Sequence, residues 1–448
     1  MSSIQQYLDL FASQRALLDR ACGLAPLNSR RDEAARVLDA TGLPGRRTER
    51  YKYTDVEAAL ASDYGLNLRR LAPGADPYAR YRCNVPDLHA RLRYVVGDVV
   101  TPARTDGDKG DEGVQVLTFA EAERTMPGWL DRYYHRAAAR TPDGLTALNT
   151  LLAQDGLVVR IAAGTQAAAP VQIVNMADGA ASLMSNRRVI VVAEGGAAGA
   201  VLFCDHARGG QPMLSTQVVE AYVEEGARLD LYSVEETHAA NTRFSHLYVE
   251  QQAGSHTTLG TITLTNGLTC NRTDVRLLGQ GATTSAYGAA IADGHQHVDN
   301  NLLVDHAVAG CTSDLLFKYV LDGAAVGAYA GKVLVREGAQ QSLSEQTNSN
   351  LCASDNARAF AQPMLEIYAD DVKCNHGSTV GKLDESALLY MRQRGIEEHE
   401  ARLLLQHAFV NDVLRRVGIE SLRNRLSYLV DMRFRGRLTK CKGCSLCK

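Results

Sequence analysis

Two grammars alternate along this chain of 448 residues. The stretch "SIQQYLDLFASQRALLDRA" sets Ile4, Leu8, Phe11 and Leu18 near one helical stripe. "RRDEAARVLDATGLPGRR" keeps that period and stops at Gly42 and Pro44. From residue 157 short β-branched runs take over: "LVVRIAAG", "VQIVNM", "RRVIVVAEG", "AYVEEGARLDLYSV", "TLGTITLT" and "KVLVREGA". Small turns bound each of them, as expected of strands. Turn glycines fall at Gly179, Gly196, Gly226, Gly281, Gly323 and Gly338, at spacings of 17, 30, 55, 42 and 15. Gly254 divides the longest interval into 28 and 27. All lie near multiples of roughly 14–15 residues, the signature of a repeat architecture. Short strands with no helices between them predict a β-solenoid, with a β-sandwich as the competing architecture.

After Gly381 the helical period returns. Asp384 is placed to cap "ESALLYMRQR", and Gly395 to close it. "IEEHEARLLLQHAFVNDVLRRV" sets Ala401, Leu404, Leu405, Ala408, Phe409, Val413 and Val417 on one face, and "ESLRNRLSYLVDMRFR" forms a third helix. The polar, glycine-rich "TPARTDGDKGDEG" reads as an exposed boundary. The predicted division is a helical region 1–110, a β core with its lead-in segment 111–381, a helical region 382–437 and a cysteine-rich tail 438–448.

Composition narrows the function classes. A formal net charge of −3 gives no electrostatic footprint for nucleic acid or an anionic membrane. The start "MSSIQQYLDLFASQR" lacks a secretory pattern, and the run "VIVVA" is too short to span a bilayer. A cytoplasmic protein is expected, and its ten cysteines read as thiols. "GAYAGKV" and "GSTVGKL" imitate phosphate loops. They have one residue too few between the glycines and no Ser or Thr after the lysine. No ATPase or dinucleotide site is visible.

The segment "DDVKCNHGSTVG" (370–381) is the first candidate site. Side chains two apart on a strand share a face, so Cys374 and His376 would lie roughly 6.6 Å apart at their α-carbons. Thiolate and imidazole at that separation can ligate a soft metal or form an ion pair; a half-buried cysteine beside a turn histidine is the plainer alternative. "HQH" (295–297) and His306 are expected to be structural, hydrogen-bonded histidines. Asp293, Asp299, Asp370 and Asp371 could supply an acid–base pair to a β-helix carbohydrate enzyme. A single tryptophan argues against a sugar-stacking groove.

"QPMLEIYADDVKCNHGSTVGKLDESALLYMRQRGI" resembles the C-terminal hallmark of the SufB/SufD family of iron–sulfur cluster assembly proteins, on its SufD side. "HVDNNLLVDHAVAGCTSDLLFKYVLDGAAVGAYAGKVLV" and "QQSLSEQTNSNLCASDNARA" have the same look. "LTALNTLLAQDGLVVRIAAGTQAAAPVQIV" and "GLPGRRTERYKYTDVEAAL" are similar to the family's lead into its β-helix and its N-terminal motif. The resemblance implies a mainly β protein, a right-handed parallel β-helix between helical ends. It implies a non-catalytic scaffold subunit of a SufBCD-type complex, whose partners are a SufB-type paralogue and a SufC-type ATPase. A homodimer is compatible with it. His376 and Cys374 would lie at the interface where a transient iron–sulfur cluster forms. The C-terminal helices would dock the ATPase through Tyr390, Arg394, Leu405 and Phe409.

"CKGCSLCK" is not expected of the family. Three thiolates at Cys441, Cys444 and Cys447 could converge on zinc or iron, with neighbouring lysines lowering their pKa values. The tail therefore keeps open a stand-alone metal-binding or redox protein. No cofactor is certain on the isolated chain.

Overall fold

The computed structural model describes residues 3–70, 76–81, 85–103, 112–178 and 182–438. At its centre is a parallel β-solenoid of about seven coils. Successive strands alternate between two ten-stranded sheets, so one coil gives one strand to each sheet. Strands start at Leu183, Ala198, Met213 and Arg228, at an even pitch of 15 residues. The sequence repeat is thus one strand plus one turn, and two such units make a coil.

The turn glycines stack in columns. Gly196, Gly226, Gly254, Gly281 and Gly310 all have positive φ, at spacings of 30, 28, 27 and 29 residues along one edge. Gly294 and Gly323 lie on the opposite edge, where a Cβ on Gly323 would sit 2.8 Å from the Gly294 nitrogen. Positive φ and this close stacking explain why glycine marks the repeat. Gly179 lies outside the described residues.

Alternation fixes what faces inward. Val189, Val191, Ala193, Val201, Phe203, Val219 and Ala221 point into the solenoid and form its apolar interior. The outward residues are covered by helices. Phe11, Leu145 and Leu148 pack with Met184, Leu214 and Phe244 on the first sheet. Val410, Val413 and Leu426 pack with Val174, Leu202 and Ile262 on the second. Strand Arg91–Val96 already pairs in parallel with Val171–Asp178, so solenoid pairing begins before residue 110; the boundary "TDGDKGD" lies outside the described residues.

The segment "RYKYT" (50–54) straps the N-terminal helices across the first sheet. Arg50 donates to Asp274 at 3.0 Å and to Asn301 at 2.6 Å, reaching two successive coils. The Tyr51 hydroxyl joins Asp143, Arg272 and His246, all buried. Burial pushes the Asp143 carboxyl up, but Arg272 and His246 outweigh it and hold it at about 2. The Thr54 hydroxyl donates to Asp299 at 2.6 Å and contacts His297 at 3.2 Å. Tyr53 stacks on Phe360 of the last strand in this sheet, 4.5 Å between ring centroids.

At the strap, burial pushes Asp299 from its ordinary 3.8 to about 7, against the Thr54 hydrogen bond that pulls it down. The folded carboxyl keeps its proton where the unfolded one has lost it. Its contribution to stability is full below about pH 4 and is lost as pH rises toward 7. In urea unfolding, the wild type should lose more stability between pH 5 and pH 8 than Asp299→Asn. Equal losses would remove Asp299 from the pH dependence.

Candidate functional site

The two ends of the solenoid differ. At the N-terminal end, antiparallel pairing of Val114–Thr118 with Leu157–Ile161 and of Val99–Val100 with Arg91–Val96 finishes the sheets. At the other end, strands Arg358–Ile367 and Val372–Gly381 each pair with the preceding coil alone. Among the described residues no further strand pairs with them; Tyr368, just after the first, is 65% exposed and Val380, on the second, 55%. Cys374 and His376 stand on this open end.

Strand Val372–Gly381 pairs without a break with Ser342–Cys352, putting Cys374 beside Ser344 and His376 beside Gln346. Ser344 and Gln346 are buried inside the solenoid. Paired residues of parallel strands share a face, so Cys374 and His376 both face the interior as the alternation predicts. Cys374 is half-buried against the interior core, while His376 is exposed for want of a covering coil. Burial pushes the Cys374 thiol up, a backbone hydrogen bond at Ser344 opposing it. The site therefore offers an imidazole directly and a thiol that a metal must deprotonate. These donors fit iron–sulfur chemistry.

The row beneath, on the neighbouring strand, is polar throughout. Ser342, Ser344, Gln346, Asn348 and Asn350 form the inward row of the neighbouring strand, and all are buried. Asn350 donates to Asn348 Oδ1 at 2.6 Å and to the Thr379 carbonyl at 3.1 Å. Sequence reasoning missed this row. Its signal was "SLSEQTNSN", in which every second position is Ser, Gln or Asn.

The C-terminal helices span Glu385–Gln393, Glu398–Leu414 and Glu420–Phe434. Asp384 caps the first through the Ser386 N–H, and Gly395 at φ 84 ends it. The apolar face of the second helix is turned from the one expected. Ala401, Leu403, Val410, Val413, Leu414 and Val417 are buried, whereas Leu404 and Ala408 are exposed. The solenoid selects this face because Val410, Val413, Leu414 and Val417 pack on the outward residues of the second sheet. Leu405 is half-buried. Phe409 packs on the same sheet with the Lys318 ammonium 4.9 Å from its ring centre, and Lys318 is 2.6 Å from Asp412. Tyr390 is exposed with the Arg394 guanidinium 5.1 Å over its ring. Exposed Leu404 and Tyr428 flank a groove of about 290 Å³ between the second and third helices.

The remaining candidates fall to separate places. His297 contacts Thr54, while His306 lies inside the solenoid between Ser313 and Ser342. Asp293 pairs with Arg433 at 2.9 Å and Asp299 with Thr54, whereas Asp370 and Asp371 occupy the turn before the last strand. These four carboxylates form no shared cleft for acid–base work. The imitation phosphate loops lie in strands Val326–Val335 and Val372–Gly381. Among the described residues no three metal-ligating side chains converge, and no helix is long and apolar enough to cross a membrane. Cys441, Cys444 and Cys447 lie outside the described residues.

Family comparison gives two matches that together span most of the chain. Residues 1–173 match the model of the SufBD protein N-terminal region. Residues 174–409 match that of the SUF system FeS cluster assembly SufBD core domain. The chain is 27% identical to an iron–sulfur cluster assembly SufBD family protein of Synechocystis, over 91% of each chain. It is 29% identical to a SufBD family protein of Mycobacterium tuberculosis, over 73% of this chain and 83% of that one. It is 25% identical to the iron–sulfur cluster assembly protein SufD of Escherichia coli, over 88% of this chain and 90% of that one.

The position of Phe409 makes it a contact within the chain. Phe409→Ala should destabilise the C-terminal helices by about 2 kcal/mol, below the cost at a fully enclosed phenylalanine. Denaturant unfolding followed by helical circular dichroism measures this. An unchanged midpoint would mean that Phe409 contributes nothing to holding the helices on the sheet.

Proposed function

Because the chain belongs to the SufB/SufD family of iron–sulfur cluster assembly proteins, we propose that it is a non-catalytic scaffold subunit of a cytoplasmic SufBCD-type complex. Its open solenoid end meets a SufB-type paralogue, and a nascent cluster forms there as cargo. The carrying observation is the uncovered last coil, whose free strand edges and exposed apolar residues accompany the inward pair Cys374 and His376. An exposed parallel edge can accept further strands, which a second solenoid supplies. One thiol and one imidazole cannot complete a cluster's ligand shell, so the remaining ligands come from the partner or from carrier thiols.

The C-terminal helices dock a SufC-type ATPase in this reading. Tyr390, Arg394 and Leu404, with the groove beside Tyr428, present exposed apolar and cationic surface to it. Phe409 packs the second helix onto the sheet behind that surface, and Leu405 is half-buried. This division gives the ATP chemistry to the partner, consistent with a chain whose phosphate-loop look-alikes are strands. The same open end could pair two copies of this chain, and a homodimer is the second reading that this observation favours.

His376→Ala should leave the melting temperature and the assembled complex unchanged and abolish maturation of iron–sulfur clients. Cells that depend on this pathway alone provide the assay. Wild-type client activity there would remove His376 from cluster formation. Leu404→Asp should leave the solenoid folded and lower co-purification of the ATPase at least tenfold. Undiminished co-purification would place the docking surface elsewhere.

A further inference from the structure

The polar layer under His376 contains several buried polar atoms with no hydrogen-bond partner, Asn350 Oδ1 among them, and two of them converge. Tyr329 is 0% exposed and its hydroxyl has no partner; Gln346 is 1% exposed and its Oε1 has none. Leaving such groups buried and unpaired costs roughly 1–3 kcal/mol each. Other inward positions at the same depth are apolar: Phe317 and Leu315 on the preceding coil, Val333 on the facing sheet. An apolar side chain at residue 346 would have met the needs of packing.

Geometry ties the two groups together and to His376. Tyr329 and Gly331 face inward from one strand, and a Cβ on Gly331 would run into the Tyr329 hydroxyl and lie 2.7 Å from Gln346 Oε1. Only glycine lets the two converge. Gln346 crosses to that strand and donates its Nε2 to the Gly331 carbonyl at 3.2 Å. This bond fixes which way the amide points and leaves the oxygen, with its two lone pairs, free. The in-register neighbour of Gln346 on the last strand is His376, on the same face. Adjacent strands lie about 4.8 Å apart, so the two side chains are neighbours on one face.

We propose that Gln346 is a positioning residue for His376. Its Oε1 accepts the N–H of one ring nitrogen and so turns the lone pair of the other toward the open end, where iron arrives. The Tyr329 hydroxyl, unpaired beside the same glycine, is the second donor available to that oxygen. A metal-binding histidine needs such an acceptor, because the hydrogen bond at one nitrogen sets the tautomer and the basicity of the other. The inference rests on the reading of His376 as the cluster-facing group, and it adds how that group is aimed.

The test uses the full chain labelled with ¹⁵N at histidine, kept free of metal, and reads the His376 nitrogens by NMR. The wild type should show one dominant tautomer. Gln346→Leu removes the acceptor, and His376 should revert to the tautomer ratio of a free imidazole while the melting temperature holds or rises. Tyr329→Phe should weaken the bias without removing it. Gln346→Glu, which keeps the acceptor oxygen, should restore it. In the complex, Gln346→Leu should slow cluster formation about tenfold, the low end for lost outer-shell partners. An unchanged tautomer ratio in Gln346→Leu would overturn the proposal, as would a fall in melting temperature with the ratio intact. His376→Ala separates the two levels of the argument. If it is active, the reading of the site itself fails; if it is inactive while Gln346→Leu is normal in both readouts, only the positioning role fails.

Discussion

A parallel solenoid cannot finish itself. Every strand relies on the coil before and the coil after for its hydrogen bonds, and the last coil has no successor. Natural sheets blunt such edges or cover them. This chain does so at one end, where short antiparallel strands and helices close the sheets. At the other end no described residue continues the sheets, and the surface helices lie on the flanks. The N-terminal motif follows the same logic. Arg50, Tyr51 and Thr54 bind the outer face at three successive coils of the first sheet, and Tyr53 extends the strap to the last coil through Phe360. The flank is held rigid up to the open end, and the end itself is left available.

The interior carries polar groups along much of its length. Arg187 pairs with Asp205, Arg243 with both Asp205 and Glu235, and Arg243 donates to Asn271 at 2.7 Å. Asn271 donates to Asn300, and Asn300 to the Tyr319 hydroxyl, which ends on the Ala328 carbonyl. Charges and amides deep in the solenoid are thus passed from coil to coil. Burying them is tolerable because each finds a neighbour of opposite need. Past Tyr319 the thread stops, and Tyr329 and Gln346 Oε1 are left over. They lie in the coil next to the open end, where a buried group can still be met from outside.

The parts of the fold legible in the sequence are those governed by local rules. Glycine columns and β-branched runs disclosed the repeat because stacking demands positive φ at fixed intervals. Asp384 and Gly395 disclosed helix ends because capping is local. The shared face of Cys374 and His376 followed from strand alternation alone. The buried face of Glu398–Leu414 was not legible, because its leucines and alanines nearly ring the helix and the outward residues of the solenoid choose among them. The partition at residue 110 had the same difficulty: Arg91–Val96 joins the solenoid only through a pairing partner 80 residues on, Arg91 beside Val171. "SLSEQTNSN" has no apolar alternation to mark a strand. Nothing local says that its Ser, Gln and Asn positions face a core.

Cys374 and His376 share a strand face but not an environment, and the difference orders their use. The imidazole is exposed, so it is open to an incoming cation. The thiol is half-buried against an apolar interior, and that burial favours the protonated form. A thiol in that setting binds well only once a cation is near enough to repay its ionisation. In the proposed site the imidazole would therefore bind first and the thiolate second, the thiol's proton leaving at the open end as its bond forms. A partner that covers this end would exclude water from both groups. It would thereby strengthen every charge-assisted contact made there.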